Sequence, residues 1–234
     1  MSRVPGKLLN RVLWPGYGRW NGSYYRDVVL RSIQRAANWL VSYQEMTCQV
    51  DSPRIVLGRS LHEYLISKLK SCDQHGLDTE SVERIRRSLT QKEKEVSDAS
   101  SPSVPLCSFD PEHIFVSGDR VSVVDYEEPD CGWPAQDPAS FLAYIDLKWT
   151  IHPGRISHED ILEIFQEAFT AKYDSTFKLT FAYMYLSDLL DAFLDRWSSP
   201  GVSFLTRSYL SWKSRWATNL IRNRSRASWE ALMN

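Results

Sequence analysis

"LCSFDPEHIFVSGDRVSVVDYEEPDCGWPAQDPASFLAYI" runs from Leu106 to Ile145. Two β-rich runs, HIFV and RVSVV, flank the tripeptide SGD. Gly118-Asp119 is a hairpin turn signal, because a tight two-residue turn needs positive φ and these residue types tolerate it. A turn at that pair makes Ile114 face Val123 and Val116 face Val121. It also brings His113 and Asp125 to the same open end. Strict alternation aims their side chains at opposite faces, so one must lie beyond the regular strand if both serve one site. Ser108 stands five positions before His113.

Outward from this strip the periodicity turns helical. Val29, Ile33, Ala36, Ala37, Leu40 and Val41 recur at helical spacing within 24–45. Leu61, Tyr64, Leu65 and Leu69 predict a second helix after Gly58. Val82, Ile85 and Leu89 predict a third, thin and highly charged. "SDASSPSVP" (97–105) reads as a loop by composition. In "SHED", Ser157 is placed to cap a helix with Asp160 near its start. Ile161, Ile164, Phe165, Ala168 and Phe169 form that helix's apolar stripe. Phe177 to Trp197 predicts a long apolar helix central to the core, ended by Pro200-Gly201. A last helix carries Tyr209, Trp212, Trp216 and Leu220 on one face.

The chain has 234 residues, is 43% hydrophobic and 24% charged, and so has the make-up of a soluble globular protein. Its net charge of −1 gives no bulk preference for nucleic acid or an anionic membrane. The basic start, MSRVPGKLLNRVLWPG, lacks the apolar core of a signal peptide, and no run is long enough to span a membrane. Cys48, Cys72, Cys107 and Cys131 form no C-x-x-C pair. They predict neither a disulfide framework nor a zinc site, and a reduced, cytoplasmic setting.

The strip resembles the aminoglycoside phosphotransferase and choline kinase-like family, especially its macrolide-phosphotransferase-like branch. That family's loop reads approximately H-G-D-x-x-P-x-[NH]-[IV]-L-V, then I-D-[FW]-[EG], then G-D-P-A-x-D-L-A. PEHIFV (111–116), VDYE (124–127) and GWPAQDPASFLAY (132–144) match these three segments. The likeness is sharp over about forty residues and architectural elsewhere. It implies a mostly α fold with a small β-hairpin, the C-terminal lobe of the kinase-like fold. A hinge-like segment over 1–23 would precede a lobe over 24–234, with the loop region at 104–145 and a substrate-side helical bundle at 157–229. The helix ending near Met46 resembles the one that follows the family's interlobe hinge.

The resemblance also assigns roles. Phosphoryl transfer needs a carboxylate near the attacking hydroxyl and cations on the phosphate oxygens. Asp125 and His113 fall at the metal-ligand positions, and Asp137 falls at the family's second Asp, holding the loop through backbone hydrogen bonds. Mg2+ and ATP or GTP are the implied cofactors. The departures are in the chemistry. Leu106 and Cys107 replace the loop's His and Gly, and Ser108 replaces its catalytic Asp. A serine hydroxyl has no useful basicity at neutral pH. Asp110 is the candidate substitute, but in an extended segment it sits about 6–7 Å from position 108. Its alternative role before Pro111 is turn formation. A neutral imidazole at His113 is a poorer magnesium ligand than an amide oxygen.

No Gly-rich phosphate cover, phosphate-binding Lys or Glu partner is found; "GYGRWNG" (16–22) only imitates one, and Gly6-Lys7 is no P-loop. The N-terminal β lobe is therefore expected to be missing. Three functional expectations follow. The first is a degenerate, inactive member kept as a binding or regulatory module. The second is an ATP- or GTP-dependent O-phosphotransferase for a small hydroxylated molecule, its N-lobe supplied by another chain. The third is an RNA- or membrane-surface binder through the tail, where 206–229 holds six Lys/Arg and no acid. The same helix reads equally as one packed on the core. Glu127, Glu128 and Asp130 read as a binding loop for a cationic substrate or as a solvated acidic loop.

Overall fold

The computed structural model describes residues 5–13, 22–47, 54–56, 58–98, 100–102, 104–107, 109–124, 131–148, 157–170, 174–198 and 204–227. These are mostly helical, with three small antiparallel sheets. No helix among them is long and apolar enough to cross a membrane.

The hairpin forms in the expected register. β5 (Ile114–Ser117) pairs with β6 (Arg120–Val123), matching Ile114 to Val123 and Val116 to Val121. Gly118 turns the chain at φ +57°, a conformation L side chains disfavour. A third strand joins them. β1 (Lys7–Leu8) pairs antiparallel with β5, giving the order β1-β5-β6. Gly6 makes this approach possible: at φ +117°, a Cβ there would lie 2.8 Å from the Val116 carbonyl oxygen. The short helix α1 (Leu9–Leu13) follows and buries Leu9 and Leu13 completely. Lys7 and Leu8, within the segment read as hinge-like, are thus stitched to the hairpin.

α2 (Gly22–Thr47) buries Val29, Ile33, Ala36, Ala37 and Leu40, one stripe that packs on the hairpin and on α6 (His158–Ala168). From its other side, Arg35 donates to the Gly118 carbonyl at 2.5 Å and pairs with Asp119 at 2.6 Å, fixing the turn. α3 (Gly58–Gln74) and α4 (Thr79–Asp98) form a helical hairpin. Its corner is closed by two backbone bonds, Gly76 N–H to the Asp73 carbonyl and Leu77 N–H to the Cys72 carbonyl. Gly76 has φ +88°, as the left-handed residue of such a helix end requires. Asp78 then caps α4, its carboxylate accepting the Ser81 N–H at 3.0 Å.

The expected loop at 97–105 is different. α4 runs to Asp98, and residues 100–102 and 104–105 form two short strands. β3 (Ser100–Pro102) pairs with β2 (Arg54–Val56), and β4 (Val104–Pro105) pairs with β7 (Cys131–Gly132). The partners lie dozens of residues away, so tertiary placement rather than local propensity makes these strands.

α5 (Gln136–Lys148) and α7 (Ser175–Ser198) form the core with α6 and α8 (Phe204–Ala227). α6 starts as its sequence predicts: Ser157 accepts the Asp160 N–H and Asp160 accepts the Ser157 N–H, a reciprocal cap. A chain of aromatic rings, Phe109, Phe141, Phe165, Phe169, Phe177 and Phe181, threads the core with successive centroids 5.1–6.5 Å apart. At these spacings each pair contributes beyond its buried area. The point where Pro200-Gly201 was expected to end α7 lies outside the described residues; the helix reaches Ser198.

α8 packs rather than floats. Ala217 and Ile221 are fully buried, and the Trp216 indole N–H donates to the Asp146 carbonyl at 3.0 Å. Two of its cations are engaged within the fold, Lys213 with Asp195 at 2.5 Å and Arg222 with Asp78 at 3.4 Å. The side chains of Tyr209 and Trp212 lie outside the described residues.

Candidate functional site

The site is the open end of the hairpin and the segment leading into it. His113 immediately precedes β5, so it escapes the strand's alternation, and the Val124 N–H donates to its carbonyl at 3.0 Å. Ser108 and Asp125 lie outside the described residues, as do Glu127, Glu128 and Asp130. The neighbours of Ser108, Cys107 and Phe109, are both buried.

Asp137 holds this segment. It lies in the first turn of α5, where a carboxylate suits the helix dipole. Its Oδ2 accepts the Cys107 backbone N–H at 3.2 Å and lies 3.5 Å from the Cys107 thiol. The Phe109 backbone N–H also contributes. Burial pushes the Asp137 carboxyl up to about 6, held back by these donors. Burial, the adjacent Asp137 charge and the hydrogen bond to it push the Cys107 thiol well above its usual range. Cys107 is therefore a core thiol and not a nucleophile.

The Asp137 value makes a testable prediction. An unfolded Asp titrates near about 3.9, so the folded protein keeps a proton that the unfolded chain releases between about 3.9 and 6. This contribution is fully present below about 3.9 and is lost as pH rises through about 6; it is worth about 3 kcal/mol. Asn at 137 keeps an oxygen for the Cys107 N–H and carries no charge. Between pH 4 and pH 7.5, the stability of Asp137→Asn relative to the wild type should therefore rise by about 2–3 kcal/mol in urea denaturation. A difference independent of pH would count against it.

A second clamp acts from α2. Gln44 is fully buried and its Nε2 donates to the Pro134 carbonyl at 3.0 Å, just before α5. Its Oε1 has no hydrogen-bond partner among the described residues. Sequence reasoning passed over Gln44, although it extends the stripe Ile33, Ala37, Leu40 by one further helical step. A polar side chain on an apolar face was the available signal.

Asp110 serves the turn into the hairpin. Its Oδ1 accepts the Glu112 N–H at 2.7 Å, and its carbonyl accepts the His113 N–H at 3.0 Å. Its Oδ2 lies 3.3 Å from His113 Nδ1. α1 braces the same turn: the Asn10 N–H donates to the Pro111 carbonyl at 2.8 Å, and Asn10 Nδ2 donates to Glu112 at 3.1 Å. The structure thus joins Asp110 to His113 and Asp137 to Cys107.

Of the two expected magnesium ligands only His113 is described, Asp125 lying outside the described residues. Mg2+ takes oxygen ligands in near-octahedral array, whereas His113 offers nitrogen. No group of three His, Cys, Asp or Glu able to hold a metal occurs among the described residues.

Away from the site, sequence reasoning missed a buried polar hub. Asp146 Oδ2 on α5 lies 2.6 Å from His158 Nδ1 on α6 and accepts the Tyr185 hydroxyl of α7 at 2.5 Å. His158 Nε2 is buried with no hydrogen-bond partner among the described residues. No family model matches this chain, and no curated protein matches it.

Proposed function

We propose that this chain is the C-terminal lobe of an aminoglycoside phosphotransferase-like fold that has lost its phosphotransfer chemistry and serves as a binding or regulatory module. The supporting observation is Asp137 in the first turn of α5, strapped to the backbone of Cys107 and Phe109. A kinase-like catalytic loop needs such a strap, because a displacement of about 1 Å costs phosphoryl transfer heavily. Here the strap survives while a serine occupies the position of the base. Asp110 is committed to the turn and to His113, which supports its reading as a turn-former rather than a replacement base. The sequence shows no glycine-rich phosphate cover or P-loop, which supports weak nucleotide binding by this chain. Free, buried Cys72 and Cys107 suit a reducing cytoplasm.

The test is a thermal-shift titration of the chain with Mg-ATP and Mg-GTP. Weak binding, millimolar or undetectable, is expected, corresponding to about 4 kcal/mol or less. Up to 1 mM nucleotide, a ligand that binds only the folded state then raises stability by about 0.4 kcal/mol at most. Micromolar affinity would overturn the degenerate reading in favour of an O-phosphotransferase for a small hydroxylated molecule.

A further inference from the structure

We propose that the polar seam where α3, α5 and α8 meet α7 is an acid-closed clasp: Asp188 keeps a proton while α8 is docked and gives it up when α8 loosens. The seam draws on all four helices. On α7, Asp188 and Asp195 stand seven residues apart and so share one face, with Asp191 a turn after Asp188. The Ser140 hydroxyl of α5 donates to Asp188 Oδ2 at 2.8 Å. Lys68 of α3 pairs with Asp191 and donates to the Ser187 hydroxyl at 3.0 Å. Lys213 of α8 pairs with Asp195 at 2.5 Å. Three carboxylates thus share two ammonium groups, and both cations are engaged by Asp191 and Asp195. The hydrogen-bond donor to Asp188 is a neutral hydroxyl.

The carboxyl that holds a proton in this seam is therefore Asp188. The side chains of Asp191 and Asp195 are 49% and 37% exposed, so water and their own lysines keep them ionised. Burial pushes the Asp188 carboxyl up to about 6, and the nearby Asp191 charge adds to the rise. The Ser140 hydroxyl, Lys68 and Lys213 hold it back. These are the groups that face it: Asp191 from its own helix, Lys68 from α3, Lys213 from α8, and a hydroxyl alone from α5. A carboxyl raised in the folded state stabilises fully below about 3.9, and that contribution is lost as pH rises through about 6. α8 packs along α7 and reaches the shared face through Lys213. Loosening α8 admits water to Asp188, so ionisation favours the loosened form.

The inference stands apart from the phosphotransferase reading, and its test needs no ligand. The Trp216 indole N–H, bonded to the Asp146 carbonyl of α5, reports the docking of α8. Its hydrogen exchange is followed by NMR between pH 4 and pH 7.5, with the signal assigned from Trp216→Phe. Corrected for the exchange of a free indole, its protection should fall by about 50-fold across this range. Asp188→Asn keeps an acceptor for Ser140 and carries no charge, so it should abolish the fall. The Asp188 carboxyl carbon should titrate near 6. Lys213→Met removes a cation that holds the carboxyl down and should move that midpoint to higher pH; Asp191→Asn should move it lower. A midpoint near 4, protection that does not change with pH, or the same fall in Asp188→Asn would each overturn the proposal. A stability difference between Asp188→Asn and the wild type that is constant with pH would reduce Asp188 to a structural contact. Circular dichroism identifies any variant that fails to fold; for such a variant, the wild-type midpoint and protection profile decide.

Discussion

Replacing Asp146 with Ala is expected to destabilise the protein by about 3–5 kcal/mol. One carboxylate oxygen serves both His158 Nδ1 at 2.6 Å and the Tyr185 hydroxyl at 2.5 Å, and all three residues are buried. Alanine leaves both groups without that acceptor, and each such loss costs roughly 1–3 kcal/mol when the group stays buried. The effect reaches beyond one contact, because the side chain joins α5, α6 and α7, and the Asp146 carbonyl holds Trp216 of α8. For a domain of this length the midpoint should fall by roughly 10 °C. Asp146→Asn retains an oxygen acceptor and should lose less. Urea denaturation of the two variants decides it; an alanine cost below about 1 kcal/mol would show that the hub contributes little.

The second large effect concerns Ser108. By itself the chain should transfer no phosphoryl group to aminoglycosides, macrolides, choline or simple sugars, and Ser108→Asp alone should not change this. Joined to a family N-lobe that brings the phosphate cover and Lys, the Ser108→Asp chain should turn over. The same fusion with Ser108 retained should be slower by about 10²–10⁴-fold, the usual contribution of a placed acid–base group. Equal rates in the two fusions would mean that another carboxylate has taken the role. For Asp110 that would require opening the turn it builds with Glu112 and His113. Activity of the unmodified chain would overturn the degenerate reading.

The hairpin and the long helices were legible in the sequence for local reasons. Gly118 marks the turn, period-two alternation marks the strands, and period-3.6 stripes mark α2, α6 and α7. The reciprocal cap at Ser157 and Asp160 lies within four consecutive residues. What escaped depends on distant partners. β3 has little strand propensity and exists because β2 lies beside it. The hub joins residues 12 and 39 positions from Asp146, a relation no window along the chain contains. At the candidate site, spacing alone placed His113 at the hairpin's end. The 3.3 Å approach of Asp110 depends on how the turn closes, which the spacing did not specify.

The pairing of β1 with β5 also fixes when the sheet can be completed. Lys7 and Leu8 find their partners, Val116 and Phe115, only after about a hundred further residues have been made. At about 5–20 residues per second, a ribosome needs roughly 5–20 s to supply them. Through that interval Leu9 and Leu13, wholly enclosed in the finished protein, have no native surface of the hairpin to rest on. Lys7–Leu13 therefore wait, once made, for the hairpin before they can dock, and their protection over that interval falls to whatever attends the nascent chain.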